Sequence, residues 1–118
     1  MIEIDIKGKL VSKKNKMKVF RNRLYKTQEV KDFEKFVAEE ALNQMKDKNL
    51  MMTKKPLVME LQVWFGDQRK RDLQNCFDTI CDALEGIVYE DDSQIVSLSG
   101  SKFYEKDVWK IKIIINFQ

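Results

Sequence analysis

The chain contains no histidine. That absence excludes Ser-His-Asp and Cys-His catalysis, a histidine general base and a His-ligated zinc site. Cysteine is scarce as well: Cys76 and Cys81 alone are too few for a four-thiolate zinc centre. No apolar run approaches the roughly 20 residues that cross a bilayer. The opening MIEIDIKGK also lacks a hydrophobic signal region, so a cytoplasmic location without membrane association is expected. Gly8, Pro56, Gly66, Gly86 and Gly100 are the only glycines and proline, and they are spaced as joints, not gathered into a linker. The 118 residues, 43% apolar and 35% charged, suit one globular domain spanning 1–118. Carboxylates, amines, guanidiniums and hydroxyls are what remains for polar chemistry.

The charge that is present is unevenly distributed. From Lys7 to Lys26 the chain reads KGKLVSKKNKMKVFRNRLYK, with nine basic residues and no acidic one. The formal net charge is only +3, so the rest of the chain stands at about −6. A basic segment on an acidic body suits a polyanion partner, because Lys and Arg displace counterions condensed on a phosphate backbone. Lys13, Lys14, Lys16, Arg21 and Arg23 are the candidate contacts, with Phe20 and Tyr25 able to stack. A solvated lysine-rich loop is the plainer reading of the same residues.

Periodicity predicts the elements. Ile2, Ile4 and Ile6 alternate with acids as a strand buried on one face. Thr27 is placed to cap a helix carrying Val30, Phe33, Val37, Ala41 and Met45 on one stripe, fraying near Lys48-Asn49. Leu57 to Phe65 alternates again. A second helix starts near Asp72 with Leu73, Cys76, Phe77, Ile80, Cys81 and Leu84 on its apolar side, which makes both cysteines reduced core residues. Strands are predicted at about Ser93–Ser99 and Val108–Phe117, joined by a turn around Gly100 to Lys106, with Trp109 on the face of Ile111, Ile113, Ile115 and Phe117. The order β-α-β-α-β-β is an α/β domain, a mixed sheet of about four strands with two helices. The pattern leaves open whether the helices share one face of the sheet.

The residues able to do chemistry concentrate between Lys70 and Gln94. Asp72, Asp78, Asp82, Glu85, Glu90, Asp91 and Asp92 lie in and around the second helix. Asn75, Asp78 and Asp82 fall within about 60° of one another on its polar side. Five of these acids have a structural alternative: Asp72 as a helix N-cap, Asp78 and Asp82 as an ordinary polar face, Asp91-Asp92 as a turn. Together with Arg69, Lys70 and Arg71 and the separate basic segment, however, they make the usual composition for metal-dependent phosphodiester hydrolysis.

At these residues the chain resembles the RusA family of Holliday junction resolvases. The resemblance rests on Arg71-Asp72-Leu73-Gln74-Asn75, Asp82-Ala83-Leu84, Gly86-Ile87-Val88 and Asp91-Asp92-Ser93-Gln94-Ile95-Val96. The opening strand, the Gly8–Ser12 and Lys13–Lys16 segment, Tyr25 and the first helix extend it less specifically over most of the chain. It implies a homodimeric, Mg²⁺-dependent endonuclease, with Mn²⁺ as a substitute, that binds four-way DNA junctions and nicks two opposing strands symmetrically. By position it implies that Asp72, Asp91 and Asp92 are catalytic metal ligands. Lys13, Lys14, Lys16, Arg21, Arg23, Arg69, Lys70, Arg71 and Asn75 are then DNA-binding candidates.

Two positions depart from the family pattern: Gln74 stands where a second catalytic aspartate is usual, and Asp78 where a lysine is usual. Residues i and i+4 neighbour each other on a helix, so Asp78 is expected to return the carboxylate lost at 74 as a further metal ligand. A catalytically impaired junction-binding protein of the same fold is the alternative. A helix from Asp72 to Glu85 is about 20 Å long. Asp92 therefore returns to Asp72 in the same chain only if the connecting segment runs back nearly extended; otherwise the site is shared across a dimer.

Overall fold

The computed structural model describes residues 1–11, 17–20 and 23–117, with side chains at 1–11 and 27–117. Its centre is β4 (Leu57–Phe65), whose Leu57, Met59, Leu61, Val63 and Phe65 are buried while the alternate residues are partly exposed. β6 (Lys110–Phe117) pairs antiparallel with β4 on one side, and β1 (Ile2–Lys7) pairs antiparallel with β6. β5 (Ile95–Tyr104) pairs parallel with β4 on the other side, giving the sheet order β1-β6-β4-β5. Because side chains alternate at period two, Ile2, Ile4, Ile6, Ile111, Ile113 and Ile115 join the β4 set on one face. Each such side chain contributes ~1.5–3 kcal/mol by leaving water.

Both helices cover that face, so they share one side of the sheet. α1 (Gln28–Asp47) is capped by the Thr27 hydroxyl, which accepts from Val30 N–H at 3.4 Å, and it buries Val30, Phe33, Val37, Ala41 and Met45 as its stripe predicts. It ends at Asp47 with Lys48 as C-cap, and Asn49 just beyond takes a positive φ of 55°. α2 (Leu73–Leu84) packs against α1 and buries Cys76, Ile80, Cys81, Ala83 and Leu84. Both cysteines are free, and burial pushes each thiol up to about 11, which keeps them protonated at neutral pH. No described helix is long and apolar enough to cross a membrane.

Three expectations need correcting. The basic segment is more than a loop: its backbone forms an antiparallel pair, β2 (Met17–Phe20) with β3 (Arg23–Lys26). The fifth strand runs past Gly100 to Tyr104. Gly100 is there because α2 lies so close that a Cβ would meet Phe77 Cζ at 2.5 Å and Leu73 Cδ2 at 3.0 Å. A glycine that admits a neighbouring helix leaves the same mark in a sequence as one that makes a turn. Finally, β6 starts at Lys110, and Trp109 precedes it with its ring over Gly66, where a Cβ would stand 2.4 Å from Nε1.

Candidate functional site

The segment between β4 and α2 carries the first part of the site. Asp72 is the N-cap of α2, and its Oδ1 accepts from Gln74 N–H at 2.9 Å. That bond fixes where the carboxylate stands, at the helix end whose free N–H groups favour negative charge. A recess of about 720 Å³ opens beside it, lined among others by Lys9, Arg69, Lys70, Arg71, Asp72 and Asn75. Of the basic candidates, Arg69 and Lys70 are exposed at this recess, and Asn75 is half-buried in its wall. Gln74 and Asp78 are exposed on α2 outside it.

Arg71 is held from three sides. Its guanidinium makes a two-pronged ion pair with Asp67, Nη2 to Oδ2 at 3.1 Å and Nη1 to Oδ1. Phe65 and Trp109 lie on it at 4.8 and 5.2 Å from their ring centroids. Its backbone carbonyl accepts from Lys102 Nζ at 2.9 Å. The Arg71 hydrogen bond holds the Asp67 carboxyl down at about 2, below its usual 3.8. Arg71 therefore shapes the segment that presents Asp72, a role that spacing alone did not reveal. Sequence reasoning also missed Lys102 and Lys9. Lys102 is recognisable only once β5 is known to extend past Gly100. Lys9, whose Nζ sits 4.6 Å from the Trp109 centroid, was absorbed into the general basic run.

Asp91 and Asp92 lie elsewhere. After Leu84 the chain turns tightly, with Gly86 N–H donating to Tyr89 O at 2.7 Å and the Tyr89 hydroxyl donating to Cys81 O at 2.6 Å. The segment consequently stays at the C-terminal end of α2 and does not run back along it. Asp91 caps a short 3₁₀ turn, Asp92–Gln94, by accepting from Ser93 N–H at 3.0 Å; with a further bond to Asp92, this holds its carboxyl below the usual range. Gln94 secures the turn with all its amide capacity. Its Oε1 accepts from Glu90 N–H and Asp91 N–H, each at 2.9 Å, and its Nε2 donates to Thr53 O at 2.9 Å and Lys55 O at 3.0 Å. The turn is thus tied to the chain that enters β4, whereas Asp72 follows the strand's other end. Nine strand residues separate those ends, about 26 Å at 3.3 Å per residue.

The acids therefore divide between two ends of the domain. Asp72 stands in a recess that is mostly cationic, with Lys9, Arg69, Lys70 and Arg71 against one other acid, Glu29. Asp82, Glu85, Asp91 and Asp92 crowd the other end, where burial first, then Asp92, Asp91 and Asp82, push the Glu85 carboxyl up. Among the described residues no three His, Cys, Asp or Glu side chains converge closely enough to hold a metal ion. One chain thus does not bring Asp72, Asp78, Asp91 and Asp92 together. Lys13, Lys14, Lys16 and Arg21 lie outside the described residues; Arg23 opens β3, and its side chain is outside them too.

A family model described as endodeoxyribonuclease RusA matches residues 7–116, nearly the whole chain. No match was found among curated proteins.

Proposed function

Because the chain belongs to the RusA family of endodeoxyribonucleases, whose activity is the cutting of Holliday junctions, we propose that it is a divalent-metal-dependent resolvase. In this reading its two active sites are each completed by a second copy. The observation that carries the proposal is the position of Asp72, a fixed carboxylate in a recess lined by Lys9, Arg69 and Lys70. The cations bind the phosphates on either side of the scissile bond and set its register, a contact that reads shape more than sequence. Asp72 meets that bond from the N-terminus of α2.

The donor chemistry fits Mg²⁺ or Mn²⁺: every available ligand is an oxygen, histidine is missing, and both thiols are buried and protonated. Such an ion, when bound, supplies Lewis-acid activation of water and neutralises charge at the leaving oxygen. Asp72, Asp91 and Asp92 are the residues that would hold it. Since the last two stand at the far end of their own chain, the set closes when the acidic end of one copy meets the basic end of another. The charges favour that approach: Asp82, Glu85, Asp91 and Asp92 on one side, Lys9, Arg69 and Lys70 on the other. A two-fold pairing makes the contact twice and yields two equivalent sites for two equivalent strands. Asp78 is not needed as a ligand in this arrangement.

The test is cleavage of a synthetic four-way junction and a matched linear duplex, in Mg²⁺ and in EDTA, with wild type, Asp72→Asn and Asp92→Asn. Paired nicks at the junction alone, lost in EDTA and in both variants while junction binding persists, support the proposal. Wild-type binding without cleavage in Mg²⁺ or Mn²⁺ would identify an impaired junction binder.

A further inference from the structure

Among the described residues no helix covers the side of the sheet opposite α1 and α2, and its residues are ordered by row. The strand registers put Lys7 opposite Lys110, Lys110 opposite Trp64 and Trp64 opposite Phe103, so these four form one line across β1, β6, β4 and β5. The next row is Asp5, Lys112, Gln62 and Ser101, and the one after it is Glu3, Ile114, Glu60 and Ser99. Positive charge is therefore concentrated in the first row and negative charge grows away from it. Within the first row the Trp64 and Phe103 rings stack at 4.8 Å with 25° between their planes. Lys110 Nζ lies 4.4 Å from the Trp64 centroid. Phe103 keeps 42% of its surface exposed on the outermost strand.

We propose that this row is a binding track for unpaired, single-stranded DNA, with a base stacking on Phe103 and the adjoining phosphates paired to Lys7 and Lys110. The proposal rests on the nuclease reading and adds a second DNA contact to it, outside the recess. Its chemistry is that of sequence-tolerant single-strand binding, an aromatic platform bordered by cations. Its position agrees: the row lies at the end of β4 that leads into the Asp72 segment, so a strand leaving the recess passes over the sheet end onto it. The acidic third row gives the track a border, because a phosphate backbone is repelled from Glu3 and Glu60.

The experiment measures anisotropy of a labelled oligothymidylate with wild type, Phe103→Leu, Phe103→Trp and the double variant Lys7→Glu/Lys110→Glu, alongside cleavage of a fully paired four-way junction. Expected are a loss of about tenfold in oligothymidylate affinity for Phe103→Leu and for the double variant, and retention for Phe103→Trp. Unchanged affinity in Phe103→Leu, or no oligothymidylate binding by wild type, overturns the proposal. So does a change of oligomeric state in Phe103→Leu that accounts for its loss, since the row would then be a protein interface. If Phe103→Leu fails to fold, as thermal melting would show, the double variant decides. Wild-type junction cutting with no Phe103 dependence on oligothymidylate sinks this proposal alone. A protein that cuts no junction yet binds oligothymidylate through Phe103 sinks the resolvase reading alone.

Discussion

Single side chains set the two halves of the site by different means. Asp67 has its carboxyl depressed from 3.8 to about 2 because it is ion-paired to Arg71 in the folded chain. A depressed carboxyl adds stability that is fully present above its unfolded value and is lost as pH falls toward the folded one. The Phe65–Arg71–Trp109 stack should therefore loosen between about pH 4 and pH 2. Near-UV circular dichroism from Trp109 is expected to change in that window before the far-UV signal, and Asp67→Asn should show the loosened signal already at neutral pH. Gln94 is the counterpart at the other end. Gln94→Glu replaces the Nε2 donor by an oxygen facing Thr53 O and Lys55 O, so stability should fall by ~1–3 kcal/mol in urea unfolding. Junction cleavage should fall further than that loss explains, because Asp91 and Asp92 are released. Gln94 was legible in the sequence as part of a motif. Its hydrogen bonds were not, since both carbonyls come from about forty residues away.

At the level of elements, most of the fold could be read from period and caps. Thr27 and Asp72 mark the helix starts as expected, and the alternation from Leu57 to Phe65 is reproduced residue by residue in burial. The misreading fell on β5, an edge strand with nearly every residue exposed. Such a strand shows no buried alternation for a period-two test to find, and a glycine in its middle invites a turn. The close packing that explains Gly100 has a measurable consequence. Gly100→Val should overpack the α2–β5 contact and cost ~1–3 kcal/mol in chemical denaturation. Adding Phe77→Leu should recover part of that loss, because Phe77 Cζ is the nearest atom in the way.

For the whole molecule, topology decides what the acids can do. A parallel β4-α2-β5 unit carries its helix back along the sheet, so whatever follows β4 and whatever precedes β5 must lie at opposite ends. That separates Asp72 from Asp91 and Asp92, and the shared-site proposal predicts complementation between two inactive variants. In a mixed dimer of Asp72→Asn with Asp92→Asn, one composite site loses both carboxylates and the other keeps both. Mixing the two proteins, with subunit exchange, should restore nicking of one junction strand without the paired second nick. Absence of any recovery in verified heterodimers would require Asp92 to act within its own chain.

The sequence by itself determined the order of the four main-sheet strands and two helices, the core face of the central strand and both helices, the reduced state of the cysteines and the kinship with a nuclease family. These depend on periodicity, capping and motif spacing, all of which are local along the chain. Only the tertiary structure decided that both helices lie on one face, that Arg71 is clamped between Asp67 and two aromatic rings, and that Lys7, Lys110, Trp64 and Phe103 form one row. It also decided that the candidate catalytic acids stand at two ends of one domain. Each of these depends on which strands are neighbours and in what register, and pairing between distant segments is set by burying the whole apolar surface at once.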